Sequence, residues 1–320
     1  MMKKIFLSAV CVVISAAALA QADITEKEIK EHIWTLASPK MKGRFPGTAE
    51  NKKTVNYLVK QFKKSGIAAY NGSYIQEFTA KMRVKKGVQD TPYVKTQNVI
   101  GYIEGSDPVL KQEFIVIGAH YDHLGMGGAS SKKPDTVGIH LGADDNASGT
   151  AALLEIAEKL AANKASLKRS VMVIAFGAEE QGLLGSKYFT EHPLVPLSQI
   201  KLMINMDMVG RMNSEKHLYM GGAATFDGGV ELLTKLGPEI GVHPFVNHYD
   251  VGGSDHVSFY KKDIPVLGFH TGGHPQYHTP EDDRRLINVP GEKLVCDYIY
   301  KVLTTVANRP GPIIFVPEKK

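Results

Sequence analysis

The sequence predicts an α/β domain whose buried strands are largely parallel. Short runs rich in Val and Ile alternate along the chain with segments that carry the apolar spacing of amphipathic helices. The predicted strands are residues 98–103, 114–119, 170–176, 201–206 and 264–269. The predicted helices between and after them are residues 151–162, 182–191, 230–240 and 292–307. Strands that are apolar throughout, rather than alternating, are typical of a parallel sheet covered on both faces.

The first 20 residues differ from the rest of the chain. Lys3 and Lys4 precede an apolar stretch over residues 5–20 that ends in Ala-Leu-Ala. A helix that spans a bilayer needs about 20 apolar residues, and this stretch has 16. We therefore expect residues 1–20 to be a signal peptide that is cut before Gln21, so that the protein is exported and is periplasmic or secreted. No stable membrane insertion is expected after cleavage.

The segment after the leader differs from the α/β part. Residues 26–36 and 48–62 have helical apolar spacing, and Ser38-Pro39 and Phe45-Pro46-Gly47 mark turns between them. Residues 66–96 are polar and weakly patterned, which favours short antiparallel strands and loops. In the last predicted helix, Leu294, Val295, Ile299, Val302, Leu303 and Val306 share one face. With no repeat and no Pro/Ser-rich linker, residues 21–320 are predicted to form a single domain.

Composition and charge exclude several classes of protein. The chain has 320 residues, of which 43% are hydrophobic and 22% are charged, so it is neither disordered nor fibrous. Loss of the leader lowers the formal net charge from +5 to +3, and no basic patch suggests a nucleic-acid partner. Cys11 lies in the leader, which leaves Cys296 alone. A zinc site built from cysteines is excluded, and so is an internal disulfide.

Acidic residues and histidines follow the predicted strands. Open α/β sheets bind ligands at the carboxyl ends of their strands, and five segments bring such side chains to that edge: His120-Tyr121-Asp122, Asp144-Asp145-Asn146, Glu179-Glu180, Asp207 and Tyr277-His278. Each has a simple structural explanation by itself; Asp145, for example, could cap the helix that follows it. Together they would crowd like charges into one crevice, which requires a cation.

His and carboxylate ligands without cysteine favour zinc, with Mn²⁺ and Co²⁺ as possible substitutes. Five candidate ligands exceed the three protein ligands usual for one catalytic zinc, so two ions are predicted. These ligands are His120, Asp145, Glu180, Asp207 and His278. Glu179, next to Glu180, is then predicted to be a free carboxylate that acts as a general base.

Six segments in order resemble peptidase family M28, the co-catalytic zinc peptidases, and in particular its bacterial secreted aminopeptidases. They are residues 118–125 (GAHYDHLG), 142–149 (GADDNASG), 177–186 (GAEEQGLLGS), 205–210 (NMDMVG), 254–256 (SDH) and 277–280 (YHTP). The resemblance extends from about residue 97 to the end of the last helix, whereas residues 21–96 match loosely. There is no room for the protease-associated domain that some members carry.

The resemblance implies a three-layer α/β/α sandwich with a central mixed, mostly parallel sheet. It implies that one ion is held by His120, Asp207 and Asp145, and the other by Glu180, His278 and the shared Asp145. Glu179 would take a proton from water and return it to the leaving amine, and the Tyr277 hydroxyl would stabilise the oxyanion. Asp122, Asp255 and Asp282 would contact ligands rather than metal. The implied activity is that of a metal-dependent aminopeptidase acting on peptides with a free N-terminus.

Two other functions remain open. Glutaminyl cyclases resemble this chain but use one zinc ion and have tryptophan in their pocket, including just before the last ligating histidine; here that position is Tyr277, and the only tryptophan is Trp34. A receptor-like relative without catalysis would lack ligands or the base, whereas every expected position is filled here. A serine hydrolase is disfavoured, because no Gly-x-Ser-x-Gly motif occurs.

Overall fold

A computed structural model describes residues 23–84 and 91–318, so the predicted leader lies outside the described residues. In these two ranges the chain forms seven α-helices and nine β-strands. The helices are α1 (Glu26–Leu36), α2 (Ala49–Lys64), α3 (Gly149–Ala162), α4 (Leu184–Glu191), α5 (Gly229–Ile240), α6 (His256–Tyr260) and α7 (Val289–Asn308). The strands are β1 (Ala68–Ala69), β2 (Ile75–Lys81), β3 (Tyr93–Ile103), β4 (Phe114–His120), β5 (Ser170–Phe176), β6 (Ile200–Met206), β7 (His217–Gly221), β8 (His243–Val246) and β9 (Val266–His270).

The strands form one mixed sheet in the order β1-β3-β5-β4-β6-β9-β7-β8, and β2 also pairs with β3. Its centre is parallel, because β4 pairs in parallel with both β5 and β6, and β6 pairs in parallel with β9. Antiparallel pairings join β3 to β5 on one side and β7 to β9 on the other. The register aligns His120 with Phe176, and Met206 with Phe269. The carboxyl ends of the four central strands therefore meet at one edge.

Helices cover both faces of the sheet. The odd-numbered residues Ile115 and Ile117 of β4 pack in the larger core beneath α1, α2, α3, α5 and α7. The even-numbered Phe114 and Val116 pack in a second core with Phe189 of α4 and Phe259 of α6. Since successive side chains of a strand point to opposite faces, a strand buried on both faces is apolar at every position. This explains the continuous Val/Ile runs in the sequence.

The predicted α/β fold with a mixed sheet between helical layers is confirmed. All five predicted strands are present, and the strand predicted at residues 98–103 begins earlier, at Tyr93, where it pairs with β2. The predicted face of α7 is buried at Val295, Ile299, Val302, Leu303 and Val306. Parallelism is limited to the centre of the sheet and to the β7–β8 pair. Among the described residues, no helix is long and apolar enough to cross a membrane.

Candidate metal centre

The five predicted ligands lie together at the carboxyl edge of the central strands. His120 is the last residue of β4, Asp207 directly follows β6, and Glu180 lies four residues after β5. Asp145 lies in the segment that leads into α3, and His278 lies in the loop after β9. Parallel strands in register thus place side chains that are up to 158 residues apart in one cluster.

His120 contacts two of the predicted carboxylate ligands. Its Nε2 lies 3.3 Å from Asp145 Oδ1 and 3.4 Å from Asp207 Oδ1. One ligand atom of each of these three residues lies within 4.8 Å of the others, which is close enough for them to share one ion. The Nδ1 atom of His120 is 3.2 Å from the backbone oxygen of Asp122. That contact leaves Nε2 directed toward the carboxylates.

The second group of predicted ligands lies beside the other carboxylate oxygen of Asp145, Oδ2. His278 Nε2 is 3.1 Å from Asp145 Oδ2 and 3.1 Å from Glu180 Oε2. The ring of His278 is held by a contact of 2.9 Å between its Nδ1 and the backbone oxygen of Ser130. The two imidazoles therefore approach Asp145 at different oxygens, one on each side of its carboxylate.

His123, which is not among the five predicted ligands, also contacts this group. Its Nδ1 is 2.7 Å from Glu180 Oε1 and 3.8 Å from Asp145 Oδ2. One ligand atom of each of His123, Asp145 and Glu180 lies within 4.8 Å of the others, so these three residues could also share an ion. His274 Nε2 lies 3.1 Å from Asp144 Oδ2, next to the predicted ligand Asp145.

The electrostatics of the cluster show that it is built for positive charge. Burial alone would lower the pKa of His120, but the carboxylates of Asp207 and Glu179 raise it well above the usual value. Burial alone would raise the pKa of Asp145, but the contacts with His120 and His278 hold it well below its usual range. The carboxylates around the two imidazoles thus favour positive charge at this place.

The donor atoms of the cluster fit metal ions. Asp145 Oδ2 and Asp207 Oδ1 are buried, and neither accepts a hydrogen bond of good geometry from any described group, although imidazole nitrogens lie 3.1–3.4 Å away. Buried oxygens without donors are costly, and coordination to an ion would satisfy them. Imidazole and carboxylate donors without sulfur suit zinc and related divalent metals.

Glu179 is positioned by Asp122. The backbone N–H of Glu179 donates to Asp122 Oδ1 at 2.9 Å, and Glu179 Oε2 is 3.9 Å from His120 Nε2. Burial raises the pKa of Glu179 well above its ordinary value. The Asp122 carboxylate lies 3.8 Å from His120 Nδ1, which is beyond hydrogen-bond distance. Asp122 therefore holds the Glu179 backbone, and its backbone oxygen, rather than its carboxylate, contacts the imidazole.

The other two predicted supporting carboxylates differ in their contacts. Asp282 accepts hydrogen bonds from the backbone N–H groups of Asp144 at 2.9 Å and Asp145 at 3.0 Å, so it holds the loop of a predicted ligand. Asp255 is fully buried, and burial raises its pKa to about 7. Neither of its oxygens has a hydrogen-bond partner among the described residues.

Arg44 is a further residue of the site that the sequence analysis missed. Its side chain is fully buried and donates only to backbone oxygens: Nε to Tyr121 at 2.7 Å, Nη1 to Leu36 and Leu141 at 2.8 Å each, and Nη2 to Gly142 at 2.9 Å. These bonds tie together the segments that follow His120 and precede Asp145. Its only sequence signal is Gly43-Arg44 between two turn signals, in the part of the chain that matches the family loosely.

Tyr277 lies between two compartments at the mouth of the cluster. Its ring stacks on that of His278, with 3.8 Å between centroids, and its pKa is raised by burial and the nearby carboxylates. One compartment has a volume of about 310 Å³ and reaches Asp207; the other has a volume of about 330 Å³ and reaches Glu180. Glu179, Gly253 and Tyr277 line both, so the predicted base and oxyanion donor stand where the two meet.

Comparison with known proteins places the chain among peptidases. The sequence is 30% identical over 230 residues to "Aminopeptidase YwaD" of Bacillus subtilis, covering 68% of this chain and 45% of that protein. The chain spans about half the length of the first curated relatives it matches.

Solved structures show the same fold at lower identity. A Zn-dependent exopeptidase from Parabacteroides distasonis superposes with a TM-score of 0.72 at 21% identity, covering 91% of this chain and 100% of that chain. A glutaminyl cyclase from Porphyromonas gingivalis superposes with a TM-score of 0.70 at 21% identity, covering 88% and 99%. Because both identities are low, these two likenesses establish the fold alone.

The family follows from the sequence match. The description of the matching family is Peptidase family M28, and the match extends over residues 98–303, which is more than half of the chain. This range contains β4, β5, β6 and β9 and every predicted ligand. The protein belongs to peptidase family M28.

Proposed function

We propose that the protein is a metal-dependent aminopeptidase that removes the N-terminal residue of peptides with a free amino group. The observation that carries this proposal is the position of Asp145 between two imidazoles, with His120 at Oδ1 and His278 at Oδ2. A carboxylate that faces a ligand set on each side is suited to bridge two ions. The relatives named as aminopeptidases support the same activity.

The proposed ligand sets are those that the sequence predicted. His120, Asp145 and Asp207 would hold one zinc ion, and Asp145, Glu180 and His278 would hold the other. His123 would contact Glu180 Oε1, which leaves Oε2 for the second ion. When bound, the ions would lower the pKa of water and polarise the scissile carbonyl.

Side chains of the protein would transfer the protons and stabilise the oxyanion. Glu179, whose pKa burial raises, would accept the proton of the attacking water and pass it to the leaving amine. The Tyr277 hydroxyl, whose raised pKa keeps it protonated, would donate a hydrogen bond to the oxyanion. Asp145 and Asp207 line the first compartment, where negative charge would favour a substrate ammonium group.

A panel of substrates tests this function. Aminoacyl amides, their N-acetylated counterparts and Gln-amide would be assayed with the purified protein, after chelation, and after addition of Zn²⁺, Mn²⁺ or Co²⁺. We expect hydrolysis of the free aminoacyl amides, loss on chelation, and recovery with metal at about two ions per chain. Cleavage of the blocked amides alone would refute an exopeptidase.

The panel also distinguishes the alternatives. Release of ammonia from Gln-amide with formation of a cyclic product, and without hydrolysis of other amides, would identify a glutaminyl cyclase. Trp34 argues against it, since it lies in α1 beside Arg284 and lines neither compartment. Absence of all turnover despite bound metal would favour the receptor-like relative.

We propose further that the chain acts after export as a single domain over residues 21–320. The apolar stretch at residues 5–20 supports this compartment. N-terminal sequencing of the protein recovered from the periplasm or the medium should begin at Gln21. Recovery of the uncut chain from the cytoplasm would contradict export.

A further inference from the structure

The two compartments at the catalytic cluster differ in charge. The first, which reaches Asp145, Asp207 and Asp250, contains no Lys or Arg among its described lining residues. The second, which reaches Glu180 and His278, is lined in addition by two cations, Arg83 and Lys187. A substrate that crosses from one to the other would leave an acidic environment and enter one with basic side chains.

Both cations lie at the same turn. Lys187 Nζ donates to the backbone oxygen of Gly182 at 2.7 Å. Arg83 lies beside the same glycine, because a Cβ atom added to Gly182 would be 3.4 Å from Arg83 Nη2. The backbone N–H of Gly182 in turn donates to the backbone oxygen of Glu179 at 2.7 Å. The two positive groups therefore converge on a turn that begins at the proposed general base.

The cations have no acidic partner in the described structure. Among residues 23–84 and 91–318, no carboxylate forms an ion pair with Arg83 or with Lys187. The two acids that line this compartment, Glu179 and Glu180, belong to the catalytic cluster. Glu180 contacts His123 and His278, and Glu179 is the proposed general base. Arg83 and Lys187 thus supply positive charge that is available to a ligand.

We infer that the second compartment binds a carboxylate of the substrate on the leaving-group side of the scissile bond. This rests on the proposed aminopeptidase function, in which the N-terminal residue occupies the first compartment. A free dipeptide has an ammonium group at one end and a carboxylate at the other, so its charges match the acidic and basic compartments in order. The same chemistry is supplied by an Asp or Glu side chain in the second residue. The substrate class is therefore dipeptides and peptides with an acidic second residue.

Paired substrates test the inference and separate the two sources of the carboxylate. The N-terminal residue is the one that the aminoacyl-amide panel shows to be best, written X. The first pair is X-Gly and X-Gly-amide, which differ in the terminal carboxylate. The second pair is X-Asp-amide and X-Asn-amide, which differ only in the side-chain carboxylate.

For wild-type protein we expect kcat/KM to be about 3- to 10-fold higher for the carboxylate member of at least one pair, since exposed charges interact weakly. The ratio should fall toward one in 0.5 M NaCl, because salt screens these charges. Arg83→Gln and Lys187→Gln should each lower the ratio about 2- to 3-fold, and Arg83→Lys should retain most of it. Lys235→Gln, at an exposed position on α5, is the matched control and should leave the ratio unchanged.

The outcomes are distinct from failure of the proposed function. A ratio near one for both pairs with efficient hydrolysis of the amides would overturn the inference and leave the aminopeptidase intact. A preference that survives in both Gln variants would also overturn it. A preference in the first pair alone assigns the site to the dipeptide terminus, and one in the second pair alone assigns it to an acidic side chain. Absence of hydrolysis of every free-amino substrate would instead refute the proposed function.

Discussion

Replacement of Arg44 with methionine should destabilise the fold and loosen the segments that follow His120 and precede Asp145, two of the proposed metal ligands. Burial lowers the pKa of Arg44 to about 10, so the guanidinium is still charged at neutral pH. It donates to four backbone oxygens at 2.7–2.9 Å. Methionine keeps much of the volume but leaves all four oxygens without this donor.

The magnitude follows from these contacts. A hydrogen bond to a charged group contributes about 1.5–3 kcal/mol, but such values are not additive, and water can enter the space that the guanidinium leaves. We therefore expect a loss of about 3–5 kcal/mol in the free energy of unfolding, the range for breaking a buried charged interaction. For a domain of this size that corresponds to a decrease in Tm of roughly 5–8 °C.

Thermal unfolding followed by circular dichroism, with metal removed, measures this change directly. Arg44→Lys keeps the charge but reaches fewer oxygens, so its Tm should lie between those of Arg44→Met and wild type. Arg285→Met is the control, since Arg285 is largely exposed and pairs with Asp283; its Tm should stay close to that of wild type. Competition with a chelator should also show weaker zinc binding by Arg44→Met. A Tm within 2 °C of wild type would refute the reasoning.

Three further predictions concern the proposed general base, the loop of the proposed ligand Asp145 and a buried acid. Glu179→Gln should lower kcat by about 10²–10⁴-fold with zinc content unchanged, and equal loss of activity and metal, measured by elemental analysis, would contradict its role as base. Asp282→Ala removes the acceptor for two backbone N–H groups of the Asp145 loop and should weaken zinc binding about 10- to 100-fold; Asp282→Asn, which keeps one acceptor, should lose less, and equal affinities would count against the assignment. Burial raises the pKa of Glu292 well above 4.5, so its contribution to stability is complete below pH 4.5 and is lost as the pH rises through the folded-state pKa. Glu292→Gln should therefore raise Tm at pH 8 and leave it nearly unchanged at pH 4, and the reverse pattern in melting curves would disprove this.

The central strands could be predicted because few other structures are compatible with their apolar sequences. Residues 114–120 and 170–176 are buried at every position, so their apolar runs are diagnostic of a sheet covered on both faces. The acids and histidines after these runs then lie at one edge by geometry alone. Assembly of the cluster therefore follows from the order of strands and polar residues in the chain.

Other parts of the structure had no local signal. Strands β7 and β8 are the last two strands on one side of the sheet and have five and four residues. They contain His217 and His243, so they show no apolar run. Arg44 is buried through bonds to the backbone of residues up to 98 positions away, and no sequence pattern encodes such contacts. The contact between His123 and Glu180 likewise depends on tertiary packing. Asp122, the neighbour of His123 in sequence, instead accepts a hydrogen bond from the backbone N–H of Glu179.

The wall of the first compartment has a consequence for how its substrate range can change. Several of its lining residues are glycines, and a Cβ atom at Gly221 would lie 1.9 Å from the backbone oxygen of Asp250, so that position is fixed by the fold. At Gly273 an added Cβ would meet no atom within 4 Å, and the backbone there has no positive φ. A side chain introduced at Gly273, which lines this compartment, would cost little folding free energy. Under the proposed function, in which this compartment holds the N-terminal residue, a substitution at Gly273 would change the substrate range while Asp145 and its two histidines stay unchanged.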